Sequence, residues 1–365
     1  RKDPAPERTV HGLAAMPGLL TALAVFARAA PIAGLFDAPE TADGFRWLAL
    51  VPLLRSFAHT DIKRLQRGLS FRREAMVMAT AQAAALVVAV GLALELHSWW
   101  AMLWGVVAHA VAQVGMTHLL AERPYRLGFD RSEMRGALSF GWPLTLNGIV
   151  LVLAAQGDRV VVGGALRLET LGVYAAATIL LTAVYGTLGR IYAGLTLPWL
   201  SRSADQPDHL VRMAGSCQIA SGGIAAVTAT AMAFLGPKII ILIFGSIFRP
   251  DFIVWTILNA AFSLRFMRAS STNIAMSLAN NTNILLSNVL RFVVFAATLI
   301  FLRYDLGLII IASTLLAAEA AALMFSFMLI SWRYSASWRV PSVTLAMVLL
   351  LQVGINALIT SNTVP

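Results

Sequence analysis

Residues 75–95 open with Ala75-Met76-Val77-Met78 and run on through Ala83-Ala84-Ala85-Leu86-Val87-Val88-Ala89-Val90-Gly91-Leu92-Ala93-Leu94, with no charged side chain before Glu95. At 1.5 Å of rise per residue, twenty such residues make a rod of about 30 Å, the thickness of a bilayer's hydrocarbon core. The run is continuous rather than alternating and is rich in Leu, Ala and Val, so it reads as a helix and not as a barrel strand. Stretches of the same kind recur along the chain. Eleven spans are expected, at about 13–36, 45–62, 75–95, 99–120, 138–161, 171–199, 214–235, 251–276, 284–302, 306–331 and 340–360. The second is short. Ile239–Phe248, after Gly236-Pro237, is too short to cross and reads as an interfacial helix.

Composition points the same way. Of 365 residues 58% are apolar and 13% charged, with a mean hydropathy of +0.75. A soluble domain is about 45–50% apolar and about 25% charged. Such a chain has too little polar surface for a soluble enzyme, a nucleic-acid-binding module or a disordered protein. The expected fold is all-α, a polytopic membrane bundle of about eleven helices. The single Cys217 excludes an internal disulfide.

The net charge of +10 acquires meaning from its placement. Sixteen basic residues fall in the N-terminal tail and in the 61–74, 121–137, 200–213 and 332–339 connections, whereas five (Arg46, Arg167, Lys238, Arg249 and Arg303) fall in the alternate set. The positive-inside rule puts the tail and the sixteen-charge loops in the cytoplasm. The other connections are short, leaving no room for an external catalytic domain.

Seven arginines remain within spans: Arg28, Arg55, Arg159, Arg190, Arg265, Arg268 and Arg291. The acids there are Asp158 and Glu319. A charge at mid-bilayer costs roughly 2.5–3.5 kcal/mol on insertion scales, so each must pair, snorkel or face a hydrated cavity. Arg28 and Arg55 lie at similar depth on consecutive antiparallel spans, near the midplane. Arg291 is also deep, and Glu319 is central in its span. Arg265 and Arg268, three residues apart, share a helix face. Arg28, Arg55, Arg265 and Arg291 are the candidate lining of a cationic cavity, because guanidinium forks match phosphate oxygens. Glu319 is a candidate ion-pair partner of Arg265 or Arg291, or a coupling site. Asp158 is a candidate pairing or capping residue beside Arg159. Arg159, Arg190 and Arg268 can snorkel.

Other chemistry is sparse. His109 and His118 share a helix nine residues apart with no ligand-spaced Cys or acid, so no metal site is expected. No phosphate-binding GxxxxGK[ST] loop and no nucleophilic triad stands out, and no catalytic residue or cofactor is expected. Trp99, Trp100, Trp104, Trp199, Trp332 and Trp338 fall near span ends as an aromatic belt. Gly12, Pro17, Pro31, Pro52, Pro143 and Pro198 are positions where spans can bend.

Several stretches carry a resemblance. Gln66-Arg67-Gly68-Leu69-Ser70-Phe71-Arg72-Arg73 resembles the basic loop of bacterial polysaccharide flippases. So does Phe140-Gly141-Trp142-Pro143, followed by Gln156, Asp158-Arg159 and Gly163. Leu171-Gly172-Val173-Tyr174-Ala175, Pro198 before Ser201-Arg202, and Ile240-Ile241-Leu242-Ile243-Phe244-Gly245 continue the pattern, in register over about 12–331. These resemble polysaccharide export proteins of the multidrug/oligosaccharidyl-lipid/polysaccharide exporter superfamily.

The resemblance implies two helical lobes around a central cavity, alternating access, and an undecaprenyl-pyrophosphate-linked oligosaccharide as substrate. It also implies that two helices of the first lobe precede Arg1. The expected organisation is a partial N-terminal lobe at 1–120, a cytoplasmic inter-lobe loop at 121–137, a C-terminal lobe at 138–331, and a basic turn with one further helix at 332–365. The expected partners are the lipid-linked oligosaccharide, membrane lipids and a polysaccharide polymerase or co-polymerase, with no nucleic acid, in the bacterial inner membrane. Alternatives are a drug or cation exporter, which wants buried acids, and a polymerase, ligase or scaffold of polysaccharide assembly.

Overall fold

The computed structural model describes residues 5–67, 72–125, 148–149, 152–153, 156–203, 206–278, 280, 282–301 and 307–334. The chain divides into two compact units, Arg1–Leu146 and Asn147–Pro365. Every regular element among the described residues is helical.

The first unit contains α1 (Ala5–Ala27), α2 (Ala29–Leu35), α3 (Ala42–Leu48), α4 (Leu50–Ser56), α5 (Asp61–Arg67), α6 (Arg72–Leu96) and α7 (Trp100–Leu119). Prolines explain where its chain breaks. A proline ring clashes with the carbonyl four residues earlier and offers no N–H to it. Four residues before Pro31 is Ala27, the last residue of α1, and four before Pro52 is Leu48, the last of α3. The α1–α2 axis bends by 63° there. The expected second span at 45–62 is thus corrected: it is two seven-residue helices, neither long enough to cross. α6 and α7 form an antiparallel hairpin. Gly105 of α7 lets the backbones close up, since a Cβ there would stand 2.8 Å from that of Ala89.

The second unit contains α8 (156–165), α9 (Leu168–Arg202), α10 (Pro207–Phe244), α11 (Phe252–Ser277), α12 (Thr282–Phe301) and α13 (Leu308–Tyr334). α11 is its axis. Trp255, Leu258, Ala261, Leu264 and Met267 lie at most 1% exposed, packed with Leu181 of α9, Ile240 of α10 and Ile311 of α13. The short interfacial helix expected at Ile239–Phe248 is corrected as well, because α10 runs through Pro237 to Phe244. The bond that Pro237 cannot make is the one to Ala233 O, and α11 braces α10 in the turns ahead of it. Asn259 Nδ2 donates to Ala229 O at 2.8 Å and Trp255 Nε1 to Met232 O at 3.1 Å, in the turns just before Pro237. Gly236 accepts the Trp255 ring where any side chain would collide. α10 ends at Gly245, whose φ of +98° only glycine adopts easily. α11 then starts on Asp251, whose carboxylate accepts from Ile253 and Val254 N–H at 2.9 and 3.2 Å.

Among the described residues six helices are long and apolar enough to cross a bilayer: α6, α7, α9, α11, Asp208–Phe244 within α10 and Leu308–Trp332 within α13. The bent Ala15–Ala27 and Ala29–Leu35 pair makes a seventh if it forms one span. α12 has a shorter apolar stretch, Thr282–Ala297. Only 11% of the apolar window of α6 is buried, so its outer face is built for lipid. The expected span at 340–360, most of that at 138–161, most of the 121–137 loop, Trp338 and Pro143 lie outside the described residues.

Candidate functional site

The C-terminal unit carries a cluster of charge in its interior. Glu319 lies twelve positions into α13, about 17 Å from its start. It is wholly buried. That depth is too great for a short carboxylate to reach water, so it needs cations. Arg265 Nε of α11 donates to Oε1 at 2.7 Å, and Arg291 of α12 donates a terminal N–H to the same oxygen at 2.8 Å. Arg268 of α11 approaches Oε2 at 3.7 Å and donates to Asn288 Oδ1 at 3.0 Å. Oε2 itself accepts no hydrogen bond, and Arg268 Nε is buried without one.

The helical spacing makes this possible. Positions 265 and 268 are one turn apart on α11, and Glu319 faces that turn from α13 while Arg291 reaches it from α12. Among the described residues three guanidiniums share this one carboxylate, two more positive charges than Glu319 neutralises. Arg268 and Arg291 are at most 9% exposed, whereas Arg265 is 28% exposed. Its guanidinium sits 4.5 Å from the centre of the Phe262 ring, which holds it by a cation–π contact.

The cluster extends toward α8 and α9. Asp158, 8% exposed, accepts from Tyr174 OH at 2.6 Å, and its carboxylate acts electrostatically on Arg265. Arg159 donates to Thr178 Oγ1 at 3.2 Å. A second polar set crosses the unit nearby. Tyr185 OH lies 2.8 Å from Asn259 Oδ1 and 2.7 Å from Ser263 Oγ, and Asn273 Nδ2 donates to Thr196 Oγ1 at 2.9 Å.

The structure therefore brings Arg265, Arg291 and Glu319 together and adds Arg268, which the snorkelling expectation placed apart. The shared face of Arg265 and Arg268 was the signal that could have found it. Asn288 and Tyr185 had no signal in the sequence, and Tyr174 stood out only within the 171–175 stretch, because a polar aromatic or amide in a span reveals no partner. Arg190 is exposed and caps its own turn through Thr187 Oγ1 at 3.0 Å.

Arg28 and Arg55 lie in the N-terminal unit. Arg28 occupies the break between α1 and α2 and is exposed. Arg55, on the last turn of α4, is exposed with a terminal nitrogen 3.4 Å from His109 Nδ1. Among the described residues no hydrogen bond or ion pair joins the two. No group of three or more His, Cys, Asp or Glu among those residues has metal-binding geometry.

These features define a multi-pass helical membrane protein with a basic, acid-anchored interior. The chain belongs to the polysaccharide biosynthesis protein family, whose pattern matches residues 2–252. It is 26% identical over 178 residues to the succinoglycan biosynthesis transport protein ExoT of Rhizobium meliloti, a match covering 47% of this chain and 36% of that protein. The matched part thus spans little more than a third of that relative's length. Among solved structures the chain is similar to the lipid II flippase MurJ in its inward closed conformation, with a TM-score of 0.67 at 10% identity, over 100% of this chain and 86% of that one. That likeness is one of fold. Arg265, Arg291 and Glu319 lie beyond the family match and rest on geometry alone.

Proposed function

We propose that this chain serves as a transporter, not an enzyme, and moves a lipid-linked oligosaccharide across the bacterial inner membrane by alternating access. The substrate class is an undecaprenyl-pyrophosphate-linked saccharide destined for exopolysaccharide, lipopolysaccharide or O-antigen assembly, handed on to a polymerase or co-polymerase. The tail at Arg1 faces the cytoplasm in this reading. The names of the relatives support it, and one observation carries it: a buried guanidinium cluster with two charges beyond what its acid neutralises.

The chemistry follows from that excess. A pyrophosphate entering low dielectric loses its hydration, and fixed cations offset the cost. Arg265 is the member that an anion can reach, because Nε is engaged by Glu319 while its side chain stays partly exposed. Arg291 stays beneath it, and Glu319 keeps the guanidiniums in place when no substrate is bound. Arg28 and Arg55, exposed in the N-terminal unit, are candidate contacts there for an anionic head group. The geometry disfavours a cation exporter, since the one fully buried acid among the described residues is already matched by arginine.

The test is translocation by the full-length protein in proteoliposomes, read as the fraction of lipid-linked oligosaccharide that becomes accessible to an added lectin. One charged hydrogen bond is worth about 1.5–3 kcal/mol, so Arg265→Ala is expected to slow translocation by roughly tenfold or more. Arg28→Ala and Arg55→Ala are each expected to slow it. Wild-type rates in all three variants would overturn the cavity reading, and no translocation by the wild type would overturn the function.

A further inference from the structure

The N-terminal unit holds a group of imidazoles that the transport reading does not use. His11 of α1 and His59, between α4 and α5, are each only 4% exposed, and His118 on the last turn of α7 is exposed. Their rings meet edge to face. His11 and His59 are 5.0 Å apart between centroids, and His59 and His118 are 5.4 Å apart. Tyr125 packs on all three, at 4.4 Å from His11, 5.6 Å from His59 and 5.0 Å from His118. The rings thus form a connected path from solvent to the interior.

Backbone donors fix the resting state. Asp61 N–H donates to His59 Nδ1 at 3.1 Å, so neutral His59 carries its proton on Nε2. That Nε2 is buried without a well-formed hydrogen bond, as is Tyr125 OH, although the Arg123 backbone acts on the ring. Thr60 N–H points to His11 Nε2 at 3.4 Å, with Thr60 Oγ1 at 3.0 Å. His59 N–H donates to Thr117 Oγ1 on α7 at 3.0 Å. His118 Nε2 lies 2.9 Å from Phe57 O. The 57–61 segment is therefore tied to α1 by one imidazole and to α7 by another.

We propose that His11, His59, His118 and Tyr125 form a proton-uptake site whose charging loosens the junction of α1, the 57–61 segment and α7. A proton added at His59 Nδ1 turns acceptor into donor against Asp61 N–H, and that bond is lost. The new cation lies beside two other imidazoles. The remaining charged groups facing it give little relief. Asp61 is the nearest acid, but its carboxylate is held by Arg64 and by Glu122 N–H, and Glu122 is held by Arg64 and Arg73. Burial, followed by His11, pushes the His59 imidazole below its ordinary value. The locked state is therefore full above the ordinary imidazole range and is lost as pH falls through the lowered value.

The experiment is hydrogen–deuterium exchange on the full-length protein in nanodiscs, from about pH 8 to about pH 5, corrected for intrinsic rates. Protection of the Thr60 and Asp61 amides is expected to fall by up to about tenfold per pH unit for each proton taken up, while the α6–α7 hairpin keeps its protection. His59→Gln should remove the pH dependence. His118→Gln, whose amide can still donate to Phe57 O, should move the midpoint upward by removing an imidazole that lies beside His59. Protection at 60–61 that does not change with pH in the wild type overturns the proposal. So does an unshifted midpoint in His118→Gln, or a wild-type pH profile in His59→Gln. Transport is not among the readouts, so this result stands apart from the proposed function.

Discussion

Arg265 and Glu319 are 54 positions apart and on different helices, yet a single 2.7 Å hydrogen bond from Nε to Oε1 joins them in the interior of the C-terminal unit. Charges in that place persist only as a set, and the set has more cations than acids. Its energetics follow from that imbalance.

Glu319→Gln removes the one negative charge that three guanidiniums share. Breaking a buried ion pair by deleting one partner costs about 3–5 kcal/mol. The variant is expected to unfold at markedly lower temperature in detergent than wild type, and Arg291→Met in the Glu319→Gln background should recover part of the loss. A double-mutant cycle on melting temperature measures this coupling.

Gly236→Ala places a Cβ in the Trp255 ring. Overpacking of this kind costs about 1–3 kcal/mol. Trp255→Leu in the Gly236→Ala background frees the space but gives up the bond to Met232 O, so the double variant should be less than additive. Thermal unfolding of the four proteins separates the clash from the lost bond.

The acid side of the stability profile belongs in part to Asp61. Burial pushes its carboxyl up, but hydrogen bonds from Arg64 and from Glu122 N–H outweigh that, and the net shift is downward. A carboxyl lowered by folding stabilises the fold above its unfolded value of about 3.9, and that contribution disappears as pH falls through the lower folded value. Asp61→Asn is expected to reduce stability near neutral pH and to flatten the loss below about pH 4. Melting curves across that range test the sign.

Cys217 is 5% exposed, its backbone carbonyl accepting from Tyr192 OH at 2.7 Å. A maleimide is expected to label the native protein slowly and the denatured protein to completion. Tyr192→Phe should speed native labelling by loosening the α9–α10 contact. Mass spectrometry over time reads both rates.

Much of this architecture was legible because apolar runs of bilayer length are a bulk property of the sequence. Met76 to Leu94 needs no partner to be read as a lipid-facing helix. The proline positions were less transparent. Pro31 and Pro52 end helices and Pro198 and Pro237 do not, although each lacks the same N–H. Around Pro237, Trp255 and Asn259 brace α10 from a different helix by donating to Met232 O and Ala229 O, ahead of the carbonyl that the proline leaves unpaired. No local rule exposes them.

By itself the sequence determined the class: helical, multi-pass and basic on one side, with a few deep charges that had to find company. Helical periodicity also put Arg265 and Arg268 on one face. Which charges meet was decided only by tertiary structure. Periodicity reports a direction from one helix axis, whereas the pairing of Arg265, Arg268 and Arg291 around Glu319 depends on how α11, α12 and α13 pack. The same holds for His11, His59 and His118, which are scattered through the first 118 residues and become one cluster where α1 and α7 close on the 57–61 segment.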